Sequence, residues 1–147
     1  MQHKLLHDNA GQRTFVIVLD TGDEVMDRLQ SFVADQDIFA AQFTAIGAFS
    51  DVVLKYFDWQ TKKYLDNPLN EQVEVASLIG DVAASPSGKP ALHVHLVVGR
   101  RDGSAMAGHL GKAHVRPTLE IILTESPAHL HKATDPQSGL ALIKADK

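Results

Sequence analysis

"LHVHLVVGRRDGSAMAGHL", Leu92 to Leu110, sets an apolar run against an Asp-Gly pair and then a glycine–histidine step. Apolar and β-branched residues bounded by glycine predict a strand over residues 91–99. Asp102-Gly103 is a strong hairpin signal, because glycine supplies the positive φ a tight turn needs. The chain then returns through Gly108 and His109. On a strand, residues two apart point to the same face. His93 and His95 therefore share one face, while Leu92, Val94 and Leu96 take the other and the core. The return strand can carry His109 beside them.

Working outward, the same alternation marks Phe15, Ile17 and Leu19 in "TFVIVLDTGDEV" as a strand. Thr21, followed three residues later by Glu24, has the pattern of a capping box. Val25, Leu29, Phe32 and Val33 then recur at helical spacing, which predicts a helix from about Asp23 to Asp35. "FTAIGAFSDVVLKYFD" predicts two strands, or one strand bent by a bulge at Gly47. "DWQTKKY" predicts a turn, with a return strand starting at Tyr64, and a short second helix is expected between Asp66 and Gln72. "QVEVASLIGDVA" and "RPTLEIILTES" predict further strands, and "ASPSGKP" a loop. The polar tail from Pro127 to Lys147 has a short apolar return at "GLALI".

One helix against six or seven strands, without helical crossovers, predicts an α+β fold. Its expected form is a mostly antiparallel, twisted sheet of about seven strands with the main helix packed on it. A single domain is expected over residues 13–143, preceded by a polar leader over residues 1–12.

The 147 residues carry a formal net charge of -4, which argues against a chain-wide electrostatic grip on nucleic acid. There is no cysteine, so disulfides, thiolate metal sites and a cysteine nucleophile are excluded. No stretch has the roughly 20 apolar residues a membrane helix needs. A soluble, cytoplasmic protein is expected.

A metal here must be held by His, Asp or Glu. Imidazole is the commonest protein ligand, and three of them without thiolate suit zinc or another first-row divalent ion. His93, His95 and His109 are the candidate ligands, and they would leave a coordination position open. The bland alternative is polar alternation on an exposed strand. A histidine-triad nucleotide hydrolase would need a third alternating histidine where Val97 stands. A cupin would need a glutamate four or five residues after the second histidine, and no carboxylate stands there, around Arg100. Ser104 is not in a nucleophile elbow, since Met106 occupies the place of the required glycine.

The remaining candidates are weaker. Glu120, inside the apolar "LEIIL", would be a buried carboxylate that orients a metal-bound histidine or works as an acid/base. It could equally be a structural acceptor or an interface ion pair. Asp102 could serve as an acid/base, but is most simply part of a solvated turn. Gly108 is expected to satisfy a positive φ or a close approach. His3 and His7 fall in the leader, His114 is expected to be exposed at a strand entry, and His129 and His131 form a second, less favourable pair in the tail.

These segments together resemble the plants-and-prokaryotes conserved (PPC) domain family. "HVHLVVGRRDGSAMAGHL" is similar to its alternating-histidine strand, Asp-Gly turn and Gly-Gly-His-Leu step. "EVASLIGDVA" and "TDPQSGLALI" resemble its later strand and C-terminal return, and Gly47 to Ser50 its Gly-Ala-hydrophobic-Ser step. The resemblance implies a homotrimer, and implies that His93, His95 and His109 are the family's histidines, which look like metal ligands in some members that occur alone in prokaryotes. In plants an AT-hook adds DNA binding. No AT-hook core occurs in this sequence, so nucleic acid is not the expected partner. Two departures stand out: Ala107 replaces the first glycine of Gly-Gly-His-Leu, and Lys132 stands where an arginine is common. The leading expectation is a trimeric, divalent-metal-binding protein of undefined activity, with a small-molecule ligand possible at the open position. The alternatives are a DNA-associated or assembly module without metal chemistry, and a metal-dependent hydrolase or lyase using Glu120 or Asp102.

Overall fold

The computed structural model describes residues 1–145. In chain order the elements are β1 (Gln2–Asn9), β2 (Gln12–Asp20), α1 (Val25–Asp35), β3 (Ala40–Asp58), β4 (Lys63–Leu69), β5 (Val73–Ala84), β6 (Pro90–Gly99), β7 (Ala105–Glu125), β8 (His131–Thr134) and β9 (Ala141–Lys144).

The alternation in the sequence becomes burial. Phe15, Ile17 and Leu19 of β2 are buried, as are Val94, Leu96 and Val98 of β6. Val25, Leu29, Phe32 and Val33 form the buried stripe of α1. Full burial of such side chains contributes about 1.5–3 kcal/mol each before entropy is counted. The helix packs against β6 and β7, and Phe32 meets Phe15 edge-on at 5.3 Å.

The helix begins differently from the capping-box expectation. Glu24 is itself the N-cap: its carboxylate accepts from the Asp27 amide at 2.7 Å and from the Ala113 amide at 3.1 Å. Thr21 instead donates to the Pro117 carbonyl at 3.1 Å. The longer glutamate side chain tethers the helix start to β7 as well as capping it. At the other end Asp37 takes a φ of 52°, and the Ile38 amide reaches back to the Val33 carbonyl at 2.9 Å. This closes the helix in a Schellman arrangement with Ile38 buried.

Among the described residues the sheet has nine strands rather than about seven, and it is mixed, because Ala84 of β5 pairs in parallel with His131 of β8. The extra strands arise where side-chain patterning carries no signal. Residues 2–9, expected as a leader, form β1, which is exposed along its whole length and held by pairing with β2. The return strand expected from Tyr64 is β4, paired with the second half of β3, and it takes in Asp66–Leu69 of the segment expected as a short helix. The tail forms the β8–β9 hairpin.

Long-range pairing also closes the sheet. β3 pairs with β5 and β7, and β6 pairs with both β5 and β7, so these four strands form a ring. One row runs Val16, Ile122, Thr44, Ile79, His95, His109 through β2, β7, β3, β5, β6 and back to β7. Closure needs a bend. β3 shifts register between Ala45 and Gly47, at the bulge the glycine predicted. Gly47 has φ 156°, and a Cβ there would lie 2.2 Å from the Thr118 carbonyl oxygen.

Candidate metal centre

His93 and His95 project from the outer face of β6, with Val94 fully buried between them. The following hairpin turns as its sequence predicts. Gly103 takes φ 82° and its amide donates to the Arg100 carbonyl at 2.9 Å. Asp102 accepts from the Ser104 amide and hydroxyl at 2.9 and 2.6 Å, which uses it as a turn cap. β7 then returns with His109 directly opposite His95. Gly108 serves close approach rather than positive φ, since a Cβ there would sit 3.0 Å from the Lys55 carbonyl oxygen of β3.

The structure therefore brings the three histidines together. One potential ligand nitrogen from each lies within 4.8 Å of the others. The Nε2 atoms of His93 and His95 face each other at 3.1 Å. Two imidazole nitrogens face each other favourably only with a proton or cation between them. A tetrahedral ion bonded at about 2.0–2.1 Å would hold two such nitrogens about 3.3 Å apart. The Nδ1 of His109 is buried without a hydrogen-bond partner among the described residues. The donor set fits a divalent ion.

Electrostatics favour the neutral, metal-binding form of His95 and His109. Burial lowers the pKa of His109 to about 4, and the positive charges of His93, His95, Lys55 and Lys132 add to the effect. His95 is lowered by burial and then by His93. Behind His93 lies a carboxylate that motif reading missed. Asp81 of β5 is the cross-strand partner of His93, and its Oδ2 is 3.5 Å from His93 Nδ1. Its Oδ1 is 3.0 Å from the Nζ of Lys132, a buried lysine on β8. Burial would raise the Asp81 pKa, but His93 and Lys132 outweigh it and hold it below the usual carboxylate value. A carboxylate on the far nitrogen of a histidine fixes ring orientation and tautomer. The signal for Asp81 was its outward position in "SLIGDVA", legible only once the β5–β6 register is known.

The other sequence candidates lie elsewhere. Glu120 is exposed, beside Val18 and Ile46, because this outer sheet face carries apolar residues in the open. The expectation that it is buried is corrected. His114 is half-buried rather than exposed, and its Nδ1 meets Asp51 Oδ1 at 2.8 Å. His3 packs edge-on against Phe32, and His129 lies against Phe39. Among the described residues His129 and His131 join no group able to hold a metal.

Comparison with known proteins shows the family and the fold. A family model described as the Plants and Prokaryotes Conserved (PCC) domain matches residues 7–127. A metal-containing protein from Archaeoglobus fulgidus is 33% identical, with 89% of this chain and 92% of that chain covered at a TM-score of 0.81. A plant- and prokaryote-conserved protein from Pyrococcus horikoshii is 26% identical, with 99% and 96% covered at 0.84. A Ralstonia eutropha protein named provisionally as DNA-binding is 27% identical, with 97% and 96% covered at 0.85. No curated protein matches the chain.

Proposed function

The chain belongs to the Plants and Prokaryotes Conserved domain family, and on that premise we propose that it is a cytoplasmic, homotrimeric protein that binds a divalent metal, zinc by preference, through His93, His95 and His109. The observation that carries this reading is the convergence of three imidazoles from two paired strands. The naming of the Archaeoglobus relative as metal-containing supports it. An all-imidazole donor set in a chain without cysteine supports zinc among the first-row divalent ions.

A bound divalent ion would supply a Lewis acid with a coordination position open to water or a small ligand. The residues around it have separate tasks. His93, His95 and His109 present ring nitrogens. Asp81 holds the Nδ1 side of His93, and Lys132 balances the Asp81 charge. Glu120 and Asp102 stand outside this group, which takes support from an acid/base reading that uses them.

Self-association is supported by an exposed apolar face on the sheet, where Ile46 is 62% exposed, Ile79 56% and Ile122 45%. No helix among the described residues is long and apolar enough to cross a membrane. Some structural relatives are named provisionally as DNA-binding, but the net charge of -4 and the absence of an AT-hook core favour the metal reading here.

Elemental analysis of purified protein tests the proposal. One equivalent of metal per chain is expected, lost in the His93→Ala/His95→Ala double variant. Stoichiometric metal that survives the double substitution would refute the ligand assignment.

A further inference from the structure

A cavity of about 180 Å³ opens against the histidines, lined by His93, His109, Lys132 and Tyr64 and by the apolar side chains of Leu92, Leu140 and Leu142. The β8–β9 hairpin builds much of its wall. That hairpin is locally fixed: Asp135 accepts from the Ser138 amide and hydroxyl at 2.8 and 2.7 Å, and Gly139 turns at φ 76°. None of Ile46, Ile79 or Ile122 lines the cavity, so it is distinct from the exposed apolar face.

From this geometry we propose that the cavity is a binding site for a small organic carboxylate, with its anionic end toward the metal and Lys132 and its alkyl end against the three leucines. The inference rests on the metal-binding reading above and names the ligand class for that site.

Charge decides the anionic end. Three neutral imidazoles leave a divalent ion with its full charge, and Lys132 adds one that Asp81 offsets. The local balance is about two positive charges in a partly desolvated site, which favours an anion. Lys132 also has donors to give. An ammonium carries three N–H groups, and its one ion-pair partner among the described residues is Asp81 Oδ1. Its side chain is 6% exposed, and it lines this cavity.

Size and lining decide the rest. At about 30 Å³ per water, the space holds roughly six waters. That admits an acid of a few carbons. Leu92, Leu140 and Leu142 offer no hydrogen-bonding side-chain group, so the part of the ligand against them is apolar.

The test uses the full chain loaded with cobalt(II), whose visible absorption reports ligands entering the open position. Metal stoichiometry is measured first, which separates the two readings: a chain that binds no metal sinks the metal proposal itself. With one cobalt per chain, acetate, butyrate and 1-butanol are titrated. Butyrate is expected to bind about tenfold more tightly than acetate, from two further methylenes leaving water, and 1-butanol to leave the spectrum unchanged. Leu142→Trp fills the apolar wall and should abolish the preference for butyrate while cobalt affinity stays the same. Lys132→Gln should weaken both acids about tenfold or more. Cobalt-loaded protein that ignores both acids, binds them equally, or keeps its butyrate preference in the Leu142→Trp variant overturns the proposal.

Discussion

Asp81 shows how much one residue contributes when its two oxygens face opposite partners. One oxygen meets His93 and the other Lys132, so the carboxylate couples a candidate ligand to a buried cation. Removing it has two separable consequences. Asp81→Asn is expected to lower metal affinity about 10–100-fold, the usual range for a partner behind a metal-binding histidine. It also leaves Lys132 without its counter-charge, a destabilisation of about 3 kcal/mol or more if the lysine stays charged. Asp81→Asn/Lys132→Met should recover most of that stability and none of the affinity. Chelator competition read beside urea unfolding distinguishes the two effects. Recovery of both by the double variant would show that Asp81 matters only for packing.

Elements owe their positions to a few close approaches. β5 crosses the Phe43 side chain at Gly80, where a Cβ would lie 2.2 Å from a ring carbon. Phe43 is itself 2% exposed and sits in the core, so the ring has little room to retreat. Gly80→Ala is expected to cost about 1–3 kcal/mol by overpacking. It should lower the thermal midpoint by several degrees, at roughly 2–4 °C per kcal/mol for a chain near this size. An unchanged midpoint in calorimetry would mean that β3 and β5 part easily. Much of the strand pattern was legible, because β2, β6 and the second half of β7 are buried on alternate residues. The strand starting at Tyr64 was legible, though not its extent to Leu69, and β1 was not: its exposed side chains carry no periodic signal, and backbone pairing with β2 makes it a strand. The short helix expected between Asp66 and Gln72 fails for that reason: Lys63–Leu69 lies opposite Val52–Asp58 and completes its hydrogen bonds.

At the scale of the whole molecule, ring closure places the candidate metal centre beside the exposed apolar face. Thr44 stands between Ile122 and Ile79, and Ile79 stands opposite His95, so one row joins the face to the histidines. Under the trimer proposal this face is covered in solution. Ile79→Glu combined with Ile46→Glu should convert a trimer to a monomer in sedimentation, since a buried unpaired charge is costly. A trimer that persists in this variant would place the interface elsewhere. The sequence by itself determined that His93 and His95 share a face, that α1 lays one apolar stripe on the sheet, and that any metal is held without sulfur. Period and composition are local properties, and burial follows them wherever a strand has one wet face. Only the tertiary structure decided that His109 completes the group, that Asp81 and Lys132 stand behind His93, and that Glu120 lies in the open. Those relations depend on strand register and on the bend at Gly47, which long-range backbone pairing sets and local periodicity does not encode.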